Sequence, residues 1–141
     1  MIDMIDAGDE PLGYLLQRVA MSLRAEVTSA ALEPVGLSFP QYICMRMLSK
    51  SPGRSNAELA RDVSVSPQAM NMVVRGLQDR GLVTRPASVS SGRSLPAQLT
   101  RDGIELLTRT DDGVREAERK VLAPLRPEQR ADFKKLLAAL G

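Results

Sequence analysis

Histidine is absent from this 141-residue sequence, and cysteine occurs once. The first absence removes imidazole as general base, triad member or zinc ligand, and the second leaves no internal disulfide and no thiolate cluster. The expectation is a chain that is not an enzyme, with no catalytic residue, no metal site and no required cofactor. Long apolar runs are missing too, since nothing approaches the roughly 20 residues that a membrane span needs. Residues 1–10 carry Asp3, Asp6, Asp9 and Glu10 and no base, the reverse of a secretory leader. With the lone cysteine this predicts a cytoplasmic protein with no membrane partner. Aromatic residues make up 3%, so Leu, Val, Ala and Met must fill the interior, a composition that favours helices.

What is present is an ordinary globular balance of 43% hydrophobic and 26% charged residues, enough at this length to bury a core without staples. The net charge of +2 says little by itself. Its distribution says more. Between residues 54 and 101 the bases are Arg54, Arg61, Arg75, Arg80, Arg85, Arg93 and Arg101, against the acids Glu58, Asp62 and Asp79. Arginine grips phosphate and guanine edges in bidentate geometry, while a plain solvated surface accounts for the charge equally well.

The order of elements follows from periodicity and punctuation. Leu12, Leu15, Leu16, Val19, Leu23 and Val27 form a helical stripe that ends at Glu33-Pro34-Val35-Gly36. Ser38 with Gln41 is a capping-box pattern for a second helix, apolar nearly all round from Phe39 to Leu48 and stopped by Ser51-Pro52-Gly53. Ser55 to Glu58 is another such box, opening a short helix through Asp62. After Val63-Ser64-Val65, Ser66 is a good N-cap and Pro67 suits the first helical position of a fourth helix, which runs to about Arg80 before Gly81. Leu82–Pro86 and Leu95–Leu99 read as paired strands around a polar turn, with Pro96 confining the second to an edge. Thr100 caps a long helix to about Ala123, in which Leu107, Val114 and Val121 repeat every seven residues and ask for a partner helix. Beyond Leu125-Arg126-Pro127 a last helix carries Phe133, Leu136, Leu137 and Leu140 on one face.

Two short capped helices joined by a tight turn, with a hairpin directly after, make a winged helix-turn-helix. The fold class is therefore mainly α with a small β-hairpin wing (α+β). On the second of the two helices Ala69, Met70, Val73, Val74 and Leu77 form the face for the core. Gln68, Asn71, Arg75 and Gln78 fall on the opposite stripe, with Ser66 at its start. Gln and Asn pair bidentately with adenine and Arg with guanine, whereas solvated helix faces favour Lys and Glu. In the hairpin Ser90 and Ser91 offer hydroxyls for phosphate, Arg93 suits the narrow minor groove, and Arg85 either touches DNA or braces the wing.

At this point the chain resembles the MarR family of transcriptional regulators along nearly its whole length. The resemblance rests on Ala57-Glu58-Leu59-Ala60, Val65-Ser66-Pro67, the run Leu77 to Arg85, Ser91-Gly92-Arg93 and Leu99 to Gly103. Two positions depart from the family pattern. Ser91 stands where an acidic residue usually lies two before the wing arginine, and Met72 stands where an arginine is common, so Arg75 is expected to take over part of that role.

The resemblance implies one domain over residues 1–141, with about 37–99 as the DNA-binding region and about 11–33 and 100–141 as dimerisation helices. It further implies a homodimer on double-stranded DNA, with recognition helices about 34–36 Å apart on a pseudo-palindromic site. A repressor released by a small aromatic or amphipathic effector is the expected function. Two other readings stay open: redox sensing through Cys44, which sits in the most apolar helix, and a winged helix used only for protein association.

Overall fold

A computed structural model describes residues 7–85 and 97–141. A short 3-10 turn, Ala7–Asp9, precedes α1 (Leu12–Val27), which runs into a π-helical turn, Thr28–Leu32, and a 3-10 turn, Glu33–Val35. Then come α2 (Phe39–Lys50), α3 (Asn56–Val63), α4 (Pro67–Asp79), β1 (Val83–Thr84), β2 (Gln98–Leu99), α5 (Arg101–Val121) and α6 (Pro127–Leu140).

The caps act as their residue types require. Ser38 Oγ accepts from the Gln41 amide at 3.2 Å while Gln41 Oε1 accepts from the Ser38 amide at 2.9 Å. The same reciprocal pair joins Ser55 and Glu58 at 3.1 and 2.9 Å. Thr100 Oγ1 accepts from the Gly103 amide at 3.0 Å and donates to the Gly81 carbonyl at 2.6 Å. One hydroxyl thus ties the start of α5 to the end of α4.

The first arm does not stop at once where its α-helical spacing ends. The Glu33 amide reaches back to the Thr28 carbonyl, which widens the last turns, and Gly36 at φ 71° closes the segment. Pro34 has no amide hydrogen to continue the α pattern, so a tighter turn finishes it. Arg80, just past α4, clamps this end by donating from Nη1 to the Gly36 carbonyl and from Nη2 to the Val35 carbonyl, both at 2.9 Å.

The strands are shorter than alternation suggests. Pairing is antiparallel with Val83 opposite Leu99 and Thr84 opposite Gln98. Leu82 is shared between helix and hairpin: its amide bonds the Leu77 carbonyl to finish α4, while its carbonyl accepts from the Thr100 amide in the same register, both at 3.0 Å. Residues 86–96, which include both prolines of the expected strands and the turn between them, lie outside the described residues.

Leu32, Met45, Leu48, Leu59, Met70 and Leu77 are fully buried and form the centre of the core. Leu107 and Val114 of the heptad stripe are buried, and Val121 is half-buried. The partner this stripe asks for is inside the chain, because α5 packs on α1 and the π turn. At their crossing a Cβ on Gly113 would come within 3.1 Å of Ala31 Cβ, so the two backbones approach closely. The outer faces of the two arms are different. Leu12 and Met21 on α1 are 68% and 65% exposed, Leu136 and Leu140 on α6 are 65% and 79% exposed, and α6 has no buried residue.

Candidate nucleic-acid interface

The helix-turn-helix is built from α3, a three-residue turn and α4. Ser64 takes the left-handed conformation at φ 62°, which lets the Val65 amide reach the Ala60 carbonyl at 3.0 Å and reverses the chain. Leu59 and Ala60 are buried beneath α4 and brace it. Ser66 Oγ caps α4 by accepting from the Ala69 amide at 3.1 Å. On α4 itself Met70, Val74 and Leu77 are buried, and Ala69 and Val73 are half-buried. Gln68, Asn71, Arg75 and Gln78 are all exposed on the other side. Met72 stands among them at 76% exposure, an apolar side chain with no place in the core.

The arginines divide by use. Arg80 holds the carbonyls of Val35 and Gly36, and Arg54 pairs with Asp62 at 2.5 Å. Arg85 is half-buried, and its Nη2 donates to Asn56 Oδ1 at 2.8 Å. Asn56 Nδ2 in turn donates to Asn71 Oδ1. The end of β1 and the recognition stripe are thereby joined through the first residue of α3. Among the described residues Arg61, Arg75 and Arg101 are exposed and make no ion pair or side-chain hydrogen bond. Ser90, Ser91 and Arg93 lie outside the described residues.

Asn56 has no role in the sequence pattern beyond its place in a capping box. Its two bonds depend on the angle at which α3 meets α4 and β1, and no local spacing encodes that angle.

Away from this face a polar link joins the reading region to the long helix. Tyr42 donates to Asp111 Oδ1 at 2.5 Å and Arg46 donates to Asp111 Oδ2 at 3.1 Å. Burial, and then the bond to Asp111, push the Tyr42 hydroxyl well above its ordinary range. Cys44 is fully buried, and that burial pushes its thiol up to about 11 despite the guanidinium of Arg85. A neutral, enclosed thiol is neither nucleophilic nor accessible, which is the setting of a core residue rather than of a sensor.

A model of the MarR family matches residues 37–95, a span that takes in α2, α3, α4 and β1. The HTH-type transcriptional repressor Rv2887 of Mycobacterium tuberculosis is 59% identical over 135 residues, covering 96% of this chain and 96% of that protein. The chain belongs to the MarR family.

The solved structures agree with this fold. The crystal structure of the Mycobacterium tuberculosis MarR family protein Rv2887 in complex with DNA matches with a TM-score of 0.80 and 52% identity, over 94% of this chain and 98% of that one. The same protein with salicylic acid matches with a TM-score of 0.80 and 58% identity, over 96% of this chain and 99% of that one. The MarR architecture, mainly helical with a two-stranded antiparallel sheet, is therefore the architecture of this chain. Among its described residues no helix is long and apolar enough to cross a membrane.

Proposed function

We propose that this MarR protein is a sequence-specific transcriptional repressor that binds a pseudo-palindromic operator as a homodimer and answers to a small aromatic effector. The observation that carries the reading is the polar stripe of α4. Gln68, Asn71, Arg75 and Gln78 project from a helix whose opposite face is locked into the core, as a helix seated in the major groove requires. Ser66 at the start of that helix can turn its hydroxyl hydrogen to a phosphate while its oxygen keeps the cap. Ser90, Ser91 and Arg93 are assigned to the wing contact on their sequence pattern, and Arg85 to its support. The DNA complex of Rv2887, at 52% identity, supports the same use here.

Residues 37–99 act as the reading region and 11–33 with 100–141 as the dimerisation helices. The exposed Leu12, Met21, Leu136 and Leu140 support that division, because apolar side chains gathered on terminal helices mark a surface that a second copy covers. Rv2887 binds salicylic acid, and an aromatic acid is the effector class proposed for this chain. The reading assigns the protein no catalytic activity and places it in the cytoplasm.

Gel shifts with duplexes selected from a random pool test the function. The expected result is tight binding that weakens linearly in log–log form with salt. Arg75→Ala is expected to lower affinity by about 1–3 kcal/mol and to relax preference at one position per half-site. Salicylate is expected to release the DNA. A chain indifferent to every duplex at low ionic strength overturns the proposal.

A further inference from the structure

The hydrogen bonds that run from β1 to α4 have a direction, and the direction is set by chemistry. A guanidinium only donates. Arg85 Nη2 donates to Asn56 at 2.8 Å, so the atom it meets must be the amide oxygen of Asn56. That leaves the Asn56 nitrogen facing Asn71, and it donates to Asn71 Oδ1. The Asn71 amide is thereby held one way round, with its nitrogen and the second lone pair of its oxygen free on the exposed face of α4. An asparagine amide pairs bidentately with adenine only when donor and acceptor are presented in the right order, donor to N7 and acceptor to the N6 amino group.

We propose that Asn56, held by Arg85, is a positioning residue for base recognition: it fixes the polarity of the Asn71 amide and so makes Asn71 select adenine. The inference rests on the proposal that α4 reads the major groove, and goes beyond it by naming a residue that touches no base and still determines the base chosen. A free amide can turn over. One tethered through a donor-only group cannot do so without leaving a polar atom unpaired.

The test compares Asn56→Ala, Asn56→Asp and Asn71→Ala with the wild type on duplexes selected from a random pool by the wild-type protein. The quantity read is the ratio of affinities for adenine and for the other bases at each half-site position. Asn71→Ala is expected to lower that ratio about tenfold at one position. Asn56→Ala frees the amide to turn and lowers the ratio partway at the same position. In Asn56→Asp the carboxylate accepts from Arg85 with one oxygen and can only accept from Asn71 with the other. It therefore turns the Asn71 amide over, and the ratio falls below that of Asn56→Ala.

This order separates positioning from shape. Asparagine and aspartate are isosteric, and an acid in the first turn of α3 favours the helix, so a purely structural Asn56 would leave the Asp variant nearer to wild type than the Ala variant. The added charge weakens binding to all sequences alike and cancels in the ratio. An Asp variant that discriminates as well as or better than the Ala variant overturns the inference, as does an Asn71→Ala protein with unchanged base preference. A wild type that selects no sequence at all is a different failure, that of the DNA-reading proposal. Arg85→Met gives an independent check, with the same position expected to lose part of its preference.

Discussion

The middle of the molecule and its two helical arms differ in how much each settles within one chain. Among the described residues between α2 and β2 the large apolar side chains are buried in the core or packed against it, and the ends of α2 and α3 are capped in pairs; Met72, on the stripe assigned to DNA, is the one large apolar side chain there that stands well exposed. On α1 and α6 six large hydrophobic residues face outward, Leu12, Tyr14, Met21, Leu136, Leu137 and Leu140. The contrast teaches that folding of the reading region is an internal matter, whereas the arms are finished by something outside the chain.

The largest effect should come from breaking the arms. Leu136→Glu combined with Leu140→Glu puts two charges on the outward face of α6. The expected outcome is a monomer by sedimentation, with an unchanged helical spectrum and a duplex affinity lower by about 10²–10⁴, the usual gain from binding two linked sites. A double variant that stays dimeric and binds normally would break the comparison.

The next effect belongs to the enclosed region. A Cβ on Gly103 would lie 2.1 Å from the Leu82 carbonyl oxygen, and that oxygen is fixed by its bond to the Thr100 amide. Gly103→Ala should cost about 1–3 kcal/mol in urea unfolding. Gly13→Ala in α1, where nothing lies within 4 Å, should instead be neutral or stabilising, by up to about 1 kcal/mol. The two glycines together sharpen the contrast, since one is required by a close approach and the other is not.

Smaller again is the loss of a cap. Ser55→Ala should destabilise by about 1 kcal/mol in the same assay. The smallest effect is visible only in acid. The Ser55 amide bond to Glu58, helped by the Ser55 hydroxyl, holds the Glu58 carboxyl below its ordinary 4.5. A depressed carboxylate contributes stability above the unfolded value and loses it as pH falls through the folded one. Urea midpoints of wild type and Glu58→Gln, whose amide keeps an acceptor but does not titrate, should therefore draw together as pH drops below 4.5. A gap that stays constant across the whole acid range in which the fold survives would show that the bond does not depend on ionisation.

Much of this was legible beforehand because it is local. Ser38 with Gln41, Ser55 with Glu58, Ser66 with Pro67, and Gly81 each signal a helix end through the next few residues, and those ends are where the pattern puts them. The alternation of Met70, Val74 and Leu77 with Gln68, Asn71 and Arg75 likewise needs only the helical repeat. What was not legible is long-range. The heptad stripe of α5 reads as a demand for another helix but cannot say that α1 of the same chain meets most of it. Leu82, which reads as strand alone, serves two elements: its amide finishes α4 at Leu77 and its carbonyl holds Thr100 across the hairpin, one partner near in sequence and one far. Arg80, Arg54 and Arg85 count equally with Arg75 in a tally of positive charge, yet three of the four are bonded to the protein itself.

The two bonds from Arg80 have a mechanical side. They rivet the last carbonyls of the first arm to the foot of the recognition helix, and each is a charge-assisted contact at 2.9 Å with little slack. Any swing of that arm must either shear both bonds or carry the foot of the helix along. On the function proposed above, an effector that shifts the first arm would tilt α4 through these two bonds alone.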